Sequence, residues 1–138
     1  MPTPEQLEVA ELFLGKAASD LAAARALAAD AAQHDDVVGF HAQQAVEKSI
    51  KAVLALRGED IPRTHDLVLL TKLAGHGDDQ IPSELANADT LTPWAVAMRY
   101  DEMEATLDRD AALRTTTASL NWATAIIAAA RATPPSLG

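Results

Sequence analysis

Between Leu7 and Ala31, apolar residues fall at steps of three and four: Leu7, Ala10, Leu14, Ala17, Leu21, Ala24, Ala28 and Ala31. Only a helix puts residues so spaced on one face. A seam of nearly seven turns demands a partner helix, and an antiparallel bundle supplies one most simply. The start is well marked. Thr3 is placed to cap, Pro4 suits the first helical position, and Gln6 completes a capping box. Gly15 interrupts the helix, and close packing by a neighbour would account for it.

The rest of the chain repeats this pattern. A break at Gln33-His34-Asp35-Asp36 offers Asp35 or Asp36 as cap for a second helix, running to about Arg57 and stopped by Gly58. Pro62 blocks helix. Thr64 is placed to cap a third helix carrying Leu67, Leu69, Leu70 and Leu73, which Gly75 and Gly77 end. The connection from Gly75 to Pro82 is polar and expected to be mobile. A short helical piece from Ser83 to about Ala88 follows. Thr92-Pro93 then starts another helix through Trp94 and Met98 to about Tyr100. Asp108 caps the last helix, with Leu113, Thr117, Leu120, Thr124 and Ile127 as its packing stripe.

Period-two alternation is absent, aromatics make up only 4%, and alanine is abundant. These features give an all-α fold: an up-down bundle of four to five helices with a long N-terminal antiparallel hairpin. The 138 residues form one domain over 1–132, with a flexible tail at 133–138.

Composition excludes several function classes. There is no cysteine, hence no disulfide and no thiolate metal site. No run approaches the roughly 20 apolar residues of a membrane span. The first residues lack a signal peptide's basic and apolar regions, so a cytoplasmic protein is expected. The net charge of −9 argues against coating duplex DNA. From His41 to Arg57, however, Lys48, Lys51 and Arg57 outnumber Glu47, so a small anion such as a nucleotide suits that region. No histidine pair or Glu-His pair has the spacing of a metal site, and neither metal nor cofactor is expected.

The second helix carries the chemistry. His41, Gln44, Lys48 and Lys51 line one stripe, with Glu47 beside them as an i,i+4 partner for Lys51. Each residue has two readings. His41 is a donor to phosphate or base, or a half-buried histidine bonding a neighbouring helix. Lys48 and Lys51 are phosphate-binding charges or solvated lysines. Gln44 and Glu47 hold those groups or bridge helices. Downstream, Arg63, His65 and Asp66 sit at a helix start, where backbone N–H groups favour anions. Asp66 suits support of that helix end. His65 suits a bond to the second helix that fixes the loop. Arg99 and Tyr100 form a further polar pair, either stacked near the same surface or structural.

The stretch from Phe40 to Ala52, followed by Pro62-Arg63-Thr64-His65-Asp66-Leu67, resembles the HEPN family. Members often carry a similar His-Ala-Gln-Gln-Ala-x-Glu-Lys-x-x-Lys helix and a Thr-His-Asp/Glu-Leu step. Asp20-Leu21 and Arg99-Tyr100 also fit, and the similarity runs from about residue 10 to residue 130. The resemblance implies a homodimeric helical bundle linked to nucleotides or RNA. It also implies a minimal nucleotidyltransferase as partner, since many bacterial members are encoded beside one in toxin–antitoxin-like pairs.

Several branches of the family are metal-independent ribonucleases that use an Arg and a His separated by four to six residues. This chain lacks the motif. Seven residues separate Arg57 from His65, one separates Arg63 from His65, and no histidine follows His76. The expected function is therefore a nucleotide- or RNA-related binding and interaction module, with His41, Gln44, Lys48, Lys51, Arg63 and His65 as its anion-binding set and Glu47, Asp66, Arg99 and Tyr100 in support. The alternatives are a divergent dimeric ribonuclease using His41 or His65 with Arg63 or Arg99, and a purely structural dimerisation subunit.

Overall fold

Capping explains where the first helix starts, and an arginine from the far end of the chain explains where it stops. In the computed structural model, which describes residues 1–77, 80–95 and 106–132, α1 spans Pro4–Ala28. Thr3 Oγ1 accepts from Gln6 N–H at 3.1 Å, and Gln6 Oε1 accepts from Thr3 N–H at 2.9 Å. The seam expected to reach Ala31 ends earlier. Asp30 Oδ1 accepts from Ala32 N–H at 2.9 Å, a local bond that competes with the helical ladder.

The guanidinium of Arg109 then takes up the freed carbonyls. It donates to Ala28 O and Asp30 O, each at 3.1 Å, and to Gln33 O at 2.5 Å. Its Nε reaches Asp35 Oδ1 at 2.9 Å. That bond holds the Asp35 carboxyl below its ordinary value of 3.8, and Leu107 N–H on the other oxygen adds to the effect.

The second helix, α2, spans Asp35–Leu56. Its N-cap is His34, not Asp35 or Asp36 as expected, and no side chain caps it. Asp35 turns to Arg109, and Asp36 accepts from Val37 N–H. At the other end Gly58 adopts φ 74°, with Gly58 N–H on Ala55 O and Glu59 N–H on Leu54 O. These two bonds make a Schellman motif, for which glycine is the natural residue.

α3 spans Leu67–Ala74 and is capped by Asp66, not by Thr64 as expected. Asp66 Oδ1 accepts from Val68 and Leu69 N–H, while Thr64 Oγ1 accepts from Asp66 N–H in the turn before. Ser83–Ala95 forms a 3-10 segment, longer than the expected short piece. Thr92 lies inside this segment and does not begin it. Its hydroxyl accepts from Leu67 N–H at 3.2 Å, serving the first turn of α3 instead. The continuation to Tyr100, residues 78 and 79 of the Gly75–Pro82 connection, and the tail at 133–138 lie outside the described residues.

The last helix, α4, spans Arg109–Ala132, with Asp108 Oδ1 accepting from Ala111 N–H. Its buried face shares only Ile127 with the expected stripe: Ala112, Thr115, Thr116, Ser119, Ala123 and Ile127 point inward, Leu113 packs half-buried against the core, and Thr124 is exposed. Small residues occupy every face of this helix, so hydrophobicity does not mark the inner one. Two of the buried hydroxyls bond back along their own helix, Thr116 to Ala112 O and Ser119 to Thr115 O, and so enter the core satisfied.

The described residues contain no strand, and the fold is all-α. Asp20 of α1 meets His41 and Lys48 of α2, while Gln6 lies against Gly58, so the first two helices run antiparallel. Arg25 meets Thr117 and Glu11 meets Arg131, so α4 also runs antiparallel to α1. Central to the bundle is α2. Its Val46, Ile50 and Leu54 join the core with Leu67 and Leu70 of α3 and Trp94 of the 3-10 segment. A second core joins Ala10, Ala52, Leu56 and Ile127. Among the described residues, no helix is long and apolar enough to cross a membrane.

Candidate functional site

Between Val38 and Leu56, α2 is buried on all sides except at Phe40, His41, Gln44, Lys48 and Lys51. Four of these five are the polar residues at three-four spacing. A helix enclosed by neighbours thus reaches solvent along one polar strip. The strip is bounded by Asp20 of α1 on one side and the Arg63–Asp66 turn on the other.

Two carboxylates organise it. Asp20 bridges two residues of α2, with Oδ1 3.0 Å from His41 Nδ1 and Oδ2 accepting from Lys48 Nζ at 2.6 Å. Glu47 organises the other half. Its Oε2 accepts from Lys51 Nζ at 3.1 Å, and its Oε1 lies 2.6 Å from His65 Nδ1. The Glu47 side chain is only 5% exposed, whereas that of His65 is 60% exposed.

Gln43 completes the second network. Its side-chain N–H groups donate to Glu47 Oε1 and to His65 O, each at 3.1 Å, and its Oε1 accepts from Gln44 Nε2 at 2.7 Å. This fully buried amide spends both donors and its acceptor. It pins the turn to α2 through the main chain, while His65 pins it through the side chain.

The expected anion-binding set is brought together, but not as free cations. Lys48 and Lys51 each hold a carboxylate partner, and Gln44 is occupied by Gln43. Arg63 is exposed and has no partner among the described residues. Asp66 is committed to the start of α3. Arg99 and Tyr100 lie outside the described residues. On the α1 side, a shallow groove lined by Leu12, Gly15, Lys16, Ser19, Asp20 and Lys48 adjoins the strip. Gly15 packs against no neighbour. A Cβ there would meet nothing within 4 Å, so close packing does not explain it. Among the described residues, no group of three metal-ligating side chains could hold an ion.

Sequence reasoning did not single out Gln43 or Arg109, and it quoted Asp20 only as part of a resemblance. For Gln43 a signal existed. It precedes Glu47 by one helical turn, the spacing at which an amide reaches a carboxylate. Asp20 and Arg109 act across the fold, where spacing carries no information.

The strip presents to solvent polar side chains already held in place. It offers one unpaired guanidinium, an oriented imidazole and two lysines fixed by their counter-charges. No curated protein and no solved structure matches the chain. The family model of the HEPN domain matches residues 10–131, a span that includes the strip, the Arg63–Asp66 turn and nearly all of α4. The chain therefore belongs to the HEPN domain family of nucleotide- and RNA-related helical modules.

Proposed function

We propose that this protein is a nucleotide- or RNA-binding and interaction module whose contact surface is the polar strip of α2 with the Arg63–Asp66 turn. One observation carries the reading: between Val38 and Leu56 the central helix of the bundle is open to solvent only along His41, Gln44, Lys48 and Lys51, with Phe40 at its edge. A helix that served packing alone would have no use for a line of cross-linked polar groups at its one opening. The resemblance supports a homodimer and a minimal nucleotidyltransferase as partner, and both belong to this proposal.

Titration with nucleoside mono-, di- and triphosphates and a short single-stranded RNA tests it. Arg63→Ala should weaken binding without shifting the melting temperature, because Arg63 holds nothing in the fold. Absence of binding at millimolar ligand would sink the reading. Co-expression with the adjacent nucleotidyltransferase, if the genome encodes one, followed by size-exclusion chromatography tests the partnership.

A specific geometry favours a second reading, a metal-independent ribonuclease acting as a dimer. His65 is exposed and braced by a buried carboxylate, with unpaired Arg63 on the same turn. A histidine so held can take the proton of a 2′-hydroxyl while arginine steadies the phosphate charge. RNA cleavage in the presence of a chelator that vanished in His65→Ala would establish it. Cleavage surviving in both His65→Ala and His41→Ala would remove it.

A further inference from the structure

The Glu47–His65 pair has a property that ligand binding does not use. Glu47 as a carboxylate can only accept hydrogen bonds. At 2.6 Å, His65 Nδ1 must therefore carry the hydrogen, and in the neutral ring the lone pair is left on Nε2. No partner engages Nε2 among the described residues, and the side chain is 60% exposed. A buried carboxylate behind the ring stabilises the cation that forms when Nε2 bonds an electrophile. The brace is rigid, because Lys51 and Gln43 hold Glu47 and Gln43 also holds the His65 carbonyl.

The other histidines lack this combination. No side-chain hydrogen bond is made by the exposed rings of His34 or His76 among the described residues. His41 is only 28% exposed and lies edge-on to Phe40.

We infer that His65 Nε2 is a phosphoryl-acceptor site, modified by an activated phosphoryl donor such as a phosphoanhydride. In that step the Nε2 lone pair forms the N–P bond. The bridging P–O bond of the donor breaks, and its electron pair leaves with the departing phosphate group. Nδ1 keeps its hydrogen, and the resulting ring cation stays paired with Glu47. Arg63 lies unpaired two residues away on the same turn, while the Asp66 carboxylate is engaged by the amides of α3. This goes beyond ligand binding at the strip and has a readout that needs no nucleotide.

The probe is potassium phosphoramidate, from which ammonia leaves as the N–P bond forms. The intact protein is treated, digested under alkaline conditions and mapped by mass spectrometry, with His34 and His76 as references within the chain. His65 should be labelled roughly fivefold faster than either or more, and the excess should disappear in Glu47→Gln. Equal or slower labelling of His65, or an excess retained in Glu47→Gln, overturns the inference. Should that variant fail to fold, ¹⁵N NMR of the wild-type imidazoles decides: the Nδ1–H tautomer at His65 supports the site, and the Nε2–H tautomer removes it. Loss of nucleotide binding with selective labelling intact would count against the binding proposal alone.

Discussion

Two glycines in long helices show how differently one residue type is used. At Gly39, an added Cβ would lie 2.5 Å from Trp94 Cδ2, inside a ring that is itself only 4% exposed. The absent side chain is what lets the indole lie against α2. Gly39→Ala should therefore cost about 1–3 kcal/mol by overpacking. At Gly15 the same change meets nothing and removes the entropic penalty of a helical glycine, so Gly15→Ala should stabilise by about 0.5–1 kcal/mol. Urea denaturation of the two variants reads both signs at once. A common sign would show that the contact with Trp94 is not the deciding factor. The buried carboxylate makes a third case. Glu47→Ala leaves Lys51, His65 and Gln43 without their shared acceptor, and should cost about 3–5 kcal/mol, more than either glycine change. Chemical denaturation again provides the measurement.

Most helix ends decided by one local residue were legible, the cap of α3 by Asp66 instead of Thr64 excepted, and those decided from across the fold were not. The capping box at Thr3, the glycine after α2 and the cap at Asp108 are local devices, and each lies where its residue type placed it. The end of α1 and the start of α2 are governed instead by Arg109, 74 residues beyond Asp35. The buried face of α4 was unreadable for another reason: alanine and threonine surround the helix, and buried Thr116 and Ser119 satisfy their hydroxyls internally. The polar strip was visible because its spacing lies within one helix, and with it the Glu47–Lys51 pair and a bond from His65 to α2; the Asp20 bridge was not, since it arrives from another element. The Arg109 clamp therefore acts as the latch of the α1–α2 hairpin. Arg109→Ala should cost about 2–3 kcal/mol, since it abandons several carbonyls and Asp35 together. The clamp also has a pH signature. Asp35 is held below its ordinary value of 3.8, so its folded form binds a proton less readily than its unfolded form. Its stabilising contribution is complete above that ordinary value and is lost as pH falls through the lower folded one. Melting curves of Asp35→Asn should thus fall less steeply on acidification below 3.8 than those of the wild type.

A net charge of −9 and a strip whose lysines already hold carboxylates together set how the whole molecule meets a polyanion. Binding to single-stranded nucleic acid weakens with salt by about 0.7 log units per neutralised phosphate for each log unit of salt. A lysine neutralised by an internal carboxylate contributes little to that count. Arg63 is the strip's unpaired cation, so the expected slope for a short single-stranded RNA is shallow, about −1 or less in magnitude. Affinity then rests on hydrogen bonds from pre-positioned groups more than on counterion release, which suits a nucleotide or a chain end better than a long coated strand. Asp20→Asn tests the reasoning directly. It leaves Lys48 without its partner charge and should steepen the slope by about 0.7, while Arg63→Ala should flatten the wild-type slope by a similar amount. Titrations of the three proteins at several salt concentrations measure both changes. A wild-type slope of about −3 or steeper would mean that phosphates displace Asp20 and Glu47 from the lysines. The carboxylates would then act as exchangeable counter-charges for the ligand, and not as fixed braces of the site.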